Sequence, residues 1–207
     1  IYDHVAGEKK EDWDISFQPN HSLKGTSKLL DEVLATSYSR VYGVYSVGLR
    51  FFEVYGPWSS PETDIFQMSE RALDTDMSIL HPKNDSNNVF SERDYVYIDD
   101  AVDAILSAMQ FSAPTLQSLV INIGTGKGFT LADIASTMEV HLPRTTVEHQ
   151  VTTILEGLDT YSSGYSSYVA STKRSSNILN FRPQVTMPEG IERTLAWHHD
   201  RSYGSDG

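Results

Sequence analysis

Residues 44–57 read Val-Tyr-Ser-Val-Gly-Leu-Arg-Phe-Phe-Glu-Val-Tyr-Gly-Pro, and this stretch decides the fold. Apolar residues dominate its centre and a Gly-Pro pair ends it, which is the pattern of a buried strand closed by a turn. We therefore predict one strand over Val44–Val54. A strand buried on both faces is typical of a parallel sheet covered by helices.

A long helix is predicted immediately before this strand. Between Ser22 and Tyr42 apolar residues recur at helical spacing, and Gly43 follows as a plausible terminator. We expect the apolar side of this helix to form one buried face. It comprises Leu29, Leu30, Val33, Leu34, Tyr38 and Val41.

Helices and strands alternate along the rest of the chain. Further helices are predicted over Pro61–Leu73, from Asp99 or Asp100 to Met109, and over Thr130–His141, Lys173–Leu179 and Pro188–Tyr203. Further strands are predicted near Met77–Leu80, Asp94–Ile98, Leu119–Ile123 and Thr145–Thr152. The alternation indicates an α/β architecture.

The bulk composition excludes several classes of protein. With 207 residues and 39% hydrophobic content, the chain suits one domain or a large part of a two-lobed one. Its net charge of −12 disfavours nucleic-acid binding, which needs a basic surface. The absence of cysteine excludes disulfides and thiolate metal sites. No apolar run reaches the roughly 20 residues that cross a bilayer, so we expect a soluble protein.

Four segments, taken in order, resemble the extended short-chain dehydrogenase/reductases. Within that group they are most similar to the NAD-dependent sugar-nucleotide epimerase/dehydratase family, and closest to the UDP-glucuronate 4-epimerases. The segments are GLRFFEVYGPW (Gly48–Trp58), RDYVYIDDAVDAI (Arg93–Ile105), VINIGTGKGFTLADI (Val120–Ile134) and NFRP with EGIERTLAWHHD (within Asn180–Asp200). The resemblance covers nearly the whole chain. It implies a partial Rossmann-like α/β sheet with a C-terminal substrate-binding lobe.

The resemblance also divides the chain. Residues 1–57 would be a remnant of the dinucleotide-binding domain, and residues 58–207 would be mostly substrate lobe, with some segments returning to the Rossmann sheet. Ile1 aligns just after the strand that bears the family's catalytic serine or threonine. The glycine-rich NAD loop is therefore not expected here, and no cofactor is expected for this chain alone. NAD is expected if an upstream half accompanies it.

The family carries Tyr-x-x-x-Lys on the helix before the first strand described above. Its tyrosinate removes a sugar hydroxyl proton, and its lysine lowers the tyrosine pKa and binds the cofactor ribose. Here the helix reads Lys24-Gly25-Thr26-Ser27-Lys28. Lys28 matches the family lysine, but Lys24 stands at the tyrosine position and cannot supply a phenolate. We expect no catalytic residue to be intact and both lysines to lie on an exposed face.

The resemblance also locates a substrate region. Arg93 matches a family arginine that contacts the nucleotide diphosphate, since a guanidinium suits paired phosphate oxygens; an ion pair is the alternative. Glu53 stands where relatives carry Asn or Thr, and a carboxylate there would repel phosphate. Tyr165 and Ser171 stand at two further positions where the family carries acidic or amide residues. Together these changes indicate a lost site.

Two other patterns could be taken for binding sites. Gly124-Thr125-Gly126-Lys127-Gly128 follows a predicted strand, but its glycine spacing departs from a dinucleotide fingerprint, so we interpret it as a structural turn. Asp99, Asp100 and Asp103 are expected to cap their helix rather than bind a cation. The histidines lack the spacing of metal ligands, and no metal site is expected.

Three functional hypotheses remain. The first is a degenerate, catalytically inactive relative that serves as a structural or interaction subunit of a larger assembly, with other protein subunits as partners. The second is an active UDP-sugar 4-epimerase represented by its C-terminal part. The third is a non-catalytic module that senses nucleotides through Lys28 and Arg93. A homodimer through the Ser22–Tyr42 helix is a further implication of the resemblance.

Overall fold

Helices and strands alternate in the structure as the sequence predicts. The computed structural model describes Tyr2 and residues 8–12, 23–73, 91–112, 118–141 and 167–203. The helices are α1 (Leu23–Tyr42), α2 (Asp64–Leu73), α3 (Ile98–Gln110), α4 (Leu131–His141), α5 (Lys173–Ile178) and α6 (Met187–Tyr203). The strands are β1 (Val47–Phe51), β2 (Glu53–Tyr55), β3 (Glu92–Tyr97), β4 (Leu119–Ile123), β5 (Gly128–Phe129) and β6 (Ser167–Tyr168). The strands predicted near Met77–Leu80 and over Thr145–Thr152 lie outside the described residues.

The single strand predicted over Val44–Val54 is two strands, so that prediction was wrong. β1 pairs in parallel with β4, with Gly48 opposite Val120, whereas β2 pairs in parallel with β3. Only Phe52 separates the two strands. Its amide donates to the carbonyl of Ile123 at 2.9 Å, and its side chain is buried. The chain changes sheets at this residue without a break in its apolar pattern, which is why the sequence did not reveal the division.

The second sheet is built around β3. β2 pairs with β3 in parallel, placing Glu53 opposite Tyr95, while β5 pairs with it antiparallel. β6 pairs with the first part of β3 in parallel and lies opposite Arg93 through Tyr168. Arg93 is therefore held on a strand that has hydrogen-bonded neighbours along its length.

Two of the three apolar clusters among the described residues cover the sheets. The smaller lies where α3 packs on β1 and β4; its buried residues are Ala104, Ile121, Ile123, Leu179 and Phe181. The larger joins β2 and β3 to α2, α4 and α6; its most deeply buried residues include Ile65, Met68, Ile134, Met138 and Ile191. Removal of this apolar surface from water is the main stabilising contribution to both layers.

The apolar face predicted for α1 forms, but nothing in the described chain buries it. The helix forms where its spacing predicts, but only Gly25, Leu29 and Ser39 are buried. The remaining apolar side chains of the expected buried face are between 45% and 70% exposed: Leu30, Val33, Leu34, Tyr38 and Val41. No element of the described chain covers this face. Helical periodicity shows that a face is apolar, but it does not supply the surface that would cover it.

Polar side chains attach α1 to β1 and β4. The guanidinium of Arg50 donates two hydrogen bonds of 2.8 Å to the carboxylate of Glu32. The Ser118 hydroxyl, just before β4, donates to the carbonyl of Ala35 at 2.9 Å. The position of α1 thus depends on these directional contacts more than on apolar packing.

Gly190 in α6 is required by the close approach of β2. A Cβ added at Gly190 would meet the Tyr55 ring, with the Cζ atom only 2.7 Å away. We expect Gly190→Ala to lower the free energy of unfolding by about 1–3 kcal/mol, because the larger cluster has no room for the methyl group. Urea unfolding of the wild type and the variant measures this loss.

Gly48→Ala is the matched control, since a Cβ there would lie 3.6 Å from Val120, an ordinary contact. Adding Tyr55→Phe to Gly190→Ala should restore part of the lost stability by removing the nearest atom. A Gly190→Ala protein as stable as the wild type would show that the α6–β2 contact is looser than described.

Candidate functional site

The two lysines of α1 lie in solvent, as predicted from the sequence. Lys24 is exposed, and Lys28 Nζ lies 3.3 Å from Asp31 Oδ2, with side chains 63% and 65% exposed. An exposed ion pair of this kind contributes about 0–1 kcal/mol to stability. Lys24 thus presents an ammonium group where the resemblance calls for a phenolate.

A charged pair lies between the second sheet and α2. Arg93 on β3 places Nη1 3.1 Å from Oδ2 of Asp64, the first residue of α2. Their side chains are only 14% and 13% exposed. The ion pair that the sequence left as an alternative for Arg93 is therefore present. Its partner Asp64 was missed, because nothing in the local sequence connects positions so far apart.

Glu53 belongs to the same group of charges. Burial raises the pKa of the Glu53 carboxyl, and the positive charge of Arg93 works against that rise. Asp64 raises the pKa of Glu53 further, and Lys24 lowers it. Burial also raises the pKa of Asp64, again opposed by Arg93. Lys24, Glu53 and Arg93, which the sequence singled out separately, are thus close enough for the charges of Lys24 and Arg93 to act on the Glu53 carboxyl.

Tyr95 adds a buried hydroxyl to these charges. Its side chain is 4% exposed, and its Oη atom has no hydrogen-bond partner among the described residues. Burial raises the pKa of this phenol far above its usual value, and the carboxylates of Asp64 and Glu53 contribute to the rise. Tyr95 therefore stays protonated at neutral pH.

The glycine-rich turn between β4 and β5 binds a carboxylate of the protein itself. Asp94 is fully buried and accepts hydrogen bonds from the amides of Thr125 (2.7 Å) and Gly126 (2.8 Å). It also accepts from the Thr125 hydroxyl at 2.6 Å and from the Ala170 amide at 3.1 Å. These amides are the donors that a phosphate would use. The structure therefore agrees with the interpretation of a structural turn.

A cleft of about 600 Å³ lies between α1 and β1. Its charged lining consists of Lys28, Asp31, Glu32 and Arg50. β1 is paired on one side only among the described residues, so the cleft runs beside its open edge.

A buried network closes one end of this cleft, and sequence reasoning missed it. Arg50 donates to the hydroxyl of Tyr2, which in turn donates to Asn122 Oδ1 at 2.8 Å. Asn122 is fully buried, and its side chain donates to the Lys9 carbonyl at 2.9 Å. Burial raises the pKa of Tyr2, so this phenol is also neutral. The network links the start of the chain to β4, and its polar groups bind one another.

The acidic residues at the start of α3 do not cap it, so the capping prediction was wrong, although Asp99 and Asp100 lie in the first turn, where negative charge favours the helix dipole. The helix begins at Ile98 after Tyr97, which makes no side-chain capping bond. Asp100 instead accepts from the amides of Gln184 and Val185 at 2.8 and 3.0 Å, and Asp99 pairs with Arg193 at 3.2 Å. Both carboxylates therefore bind groups that are distant in the sequence instead of the amides at the start of the helix.

The remaining candidates have structural roles or lie outside the described residues. His198 is 2% exposed and packs against Phe66; burial and the charge of Arg201 lower its pKa to about 4. Within the described ranges, no group of His and acidic side chains could hold a metal ion. Ser171 is buried, and its amide donates to the Lys9 carbonyl. Tyr165 lies outside the described residues.

Solved structures share this architecture. The UDP-glucuronic acid 4-epimerase of Bacillus cereus in complex with NAD superimposes with a TM-score of 0.75 at 22% identity, covering 97% of this chain and 59% of that one. The UDP-glucose 4-epimerase of Thermotoga maritima with UDP-glucose gives a TM-score of 0.66 at 25% identity, covering 86% and 53%. The fold is therefore an α/β fold with parallel sheets of the Rossmann-like short-chain dehydrogenase/reductase type.

Residues 1–124 match the NAD dependent epimerase/dehydratase family, and the chain belongs to that family. An uncharacterised protein of Methanocaldococcus jannaschii is 28% identical, over 85% of this chain and 49% of its own length. UDP-glucuronate 4-epimerase 1 of Arabidopsis thaliana is 24% identical, over 86% and 42%. The chain thus spans about half the length of the curated relatives it matches. No helix in the described part of the chain is long and apolar enough to span a membrane.

Two features of the described residues bear on the dinucleotide named in the family description, and neither is a formed site for it. The amides of the one glycine-rich turn in the described ranges already donate to Asp94. Lys28, which matches the lysine that binds the cofactor ribose, has its ammonium group on Asp31 at the surface. We therefore derive no reaction step through NAD in this chain.

The raised pKa of Glu53 predicts a pH-dependent effect of Glu53→Gln. A carboxyl whose folded-state pKa lies above its usual value of 4.5 contributes its full stability below that pH. The contribution is lost as the pH rises through the folded-state pKa. We expect Glu53→Gln to become progressively more stable than the wild type between pH 4.5 and neutrality. Thermal or urea unfolding at several pH values measures the difference.

Glu70→Gln, which removes an exposed carboxylate from α2, is the control for the change in net charge. A Glu53→Gln protein whose advantage over the wild type shrinks with rising pH would contradict the expectation, because it would mean that Glu53 is stabilised as a carboxylate.

Proposed function

We propose that this chain is a non-catalytic member of the NAD-dependent epimerase/dehydratase family that acts as an interaction subunit. One observation carries the proposal. The position of the family's tyrosine holds Lys24, whose exposed ammonium group supplies a positive charge instead of a phenolate. The nearby buried phenol, Tyr95, does not compensate, because burial keeps it protonated.

The charges around Arg93 support the same conclusion. A site for a nucleotide diphosphate needs positive charge that is available to phosphate oxygens. Here the guanidinium of Arg93 is bound by Asp64, and Glu53 adds a second carboxylate beside it. Both carboxylates oppose the binding of a UDP-sugar by like-charge repulsion.

The exposed face of α1 supports an interaction role. Its apolar side chains run from Leu30 to Val41 and are too exposed to contribute to a core in the described chain. Exposed apolar surface that continues along a helix marks a contact with another surface, either a further part of the same protein or a second molecule. We propose that a second copy of the protein covers this face.

Two features favour a second copy. An antiparallel arrangement that places Leu30 opposite Val41 also places Val33 opposite Tyr38, so the face is complementary to itself. α1 contains three basic residues (Lys24, Lys28, Arg40) and two acidic ones (Asp31, Glu32), a net charge of +1. Two copies of a chain with a net charge of −12 can therefore approach through α1 with little repulsion.

Catalysis is tested on the protein purified at its native length from its own source. We expect no conversion of UDP-glucuronate to its 4-epimer in the presence of NAD, because the proton-accepting phenolate is missing. Chromatographic separation of the epimers gives the readout, with the Bacillus cereus enzyme as a positive control. Turnover at about 1 s⁻¹ or faster would contradict the proposal and favour an active UDP-sugar epimerase.

The interaction role is tested by Leu34→Asp, which places a charge at the centre of the exposed face. We expect the native-length protein to self-associate, and the variant to associate at least roughly tenfold more weakly, by sedimentation velocity. Val140→Asp on α4, where the valine is 80% exposed, is the matched control. A wild type that remains monomeric, or that carries a different protein on α1, would overturn the second-copy proposal.

A further inference from the structure

Glu53 lies within electrostatic range of Lys24 and of the ion pair that Arg93 forms with Asp64. These four residues form a balanced cluster that is contributed by α1, β2, α2 and β3, consisting of Lys24, Glu53, Asp64 and Arg93. We propose that the Asp64 carboxylate acts as a built-in ligand of Arg93 in this balanced cluster, with Glu53 adding negative charge nearby, so that the site excludes phosphate and other external anions. This inference rests on the proposed function and extends it to the ligand class that the site excludes.

The geometry of the Arg93–Asp64 pair is the first support. The two side chains meet at 3.1 Å and are nearly removed from solvent. Asp64 therefore occupies the Nη1 donor of the guanidinium, one of the groups that an oxygen of an external anion would use. An incoming phosphate would have to displace a carboxylate that already contacts the guanidinium and belongs to the same chain. Exchanging one anionic ligand for the other would therefore contribute little binding free energy.

The second support is the charge of the balanced cluster. It contains two basic and two acidic side chains, so its formal charge is zero. Glu53 is close enough to Arg93, Asp64 and Lys24 for each of them to act on it. A site that binds anions uses an excess of positive charge, which this arrangement lacks. The positive charge of Lys24 and the negative charge of Glu53 thus offset each other, whereas either charge alone would give the balanced cluster a net charge.

The third support is the hydroxyl of Tyr95, on the same strand as Arg93. It is buried, its pKa responds to the charges of Asp64, Arg93 and Glu53, and it has no hydrogen-bond partner among the described residues. A hydrogen-bond donor beside a guanidinium is suited to an anion, yet the nearby carboxylates prevent one from approaching. Removing the carboxylate charges should therefore uncover a pair of donors for phosphate oxygens.

The test uses the native-length protein and inorganic pyrophosphate as the probe. We expect Glu53→Gln combined with Asp64→Asn to bind pyrophosphate roughly tenfold or more tightly than the wild type, at constant ionic strength. Isothermal titration calorimetry measures the affinity, and circular dichroism confirms that the variant is folded. If the double variant does not fold, Asp64→Asn alone is compared with the wild type in the same way.

Two further variants serve as controls for this measurement. Glu62→Gln combined with Glu70→Gln removes two exposed carboxylates and matches the change in net charge. Arg93→Met added to the double variant should abolish the new binding. The proposal is overturned if the matched control binds as tightly as the double variant, if the wild type already does, or if no variant binds. Because turnover is measured on the unaltered protein, failure here is distinct from failure of the proposed function.

Discussion

A charge that folding removes from water must meet a partner inside the protein, and this requirement organises the structure. Asp94 has no exposed surface and receives four hydrogen bonds, which join β3 to the turn after β4 and to Ala170. Arg50 meets Glu32 across β1 and α1, and Arg93 meets Asp64 across β3 and α2. An unpaired buried charge would cost several kcal/mol. Each pair therefore fixes one element against another.

Much of the fold could be predicted from the sequence, but only where the signal was local. α4 and β4 occupy their predicted ranges, because a periodic apolar pattern with clear ends specifies an element by itself. The division of the first strand at Phe52 could not be predicted, since two strands that pair with different neighbours read as one apolar run. The periodicity of α1 could not decide its burial, because burial depends on a covering surface.

The sequence predicted individual residues of the candidate site, but not which of them lie together. Lys24, Lys28 and Arg93 could be found because each falls at a fixed place within a motif. Asp64 could not, because it lies 29 positions before Arg93 and meets it only through the tertiary fold. In the structure Arg93 pairs with Asp64, and the charges of Lys24 and Arg93 act on Glu53, so these charges partly compensate one another. That compensation is invisible in the sequence, where nothing indicates which departures are neighbours in space.

The junction at Phe52 has a consequence for how the chain can vary. A loop between two elements absorbs inserted or deleted residues at small cost, because its ends are free to adjust. Here one residue connects strands that belong to different sheets, and its own amide is bound to Ile123. Since side chains alternate along a strand, one residue more or less would turn every side chain of one strand to the opposite face. The length of this junction is thus as constrained as the identity of any core residue.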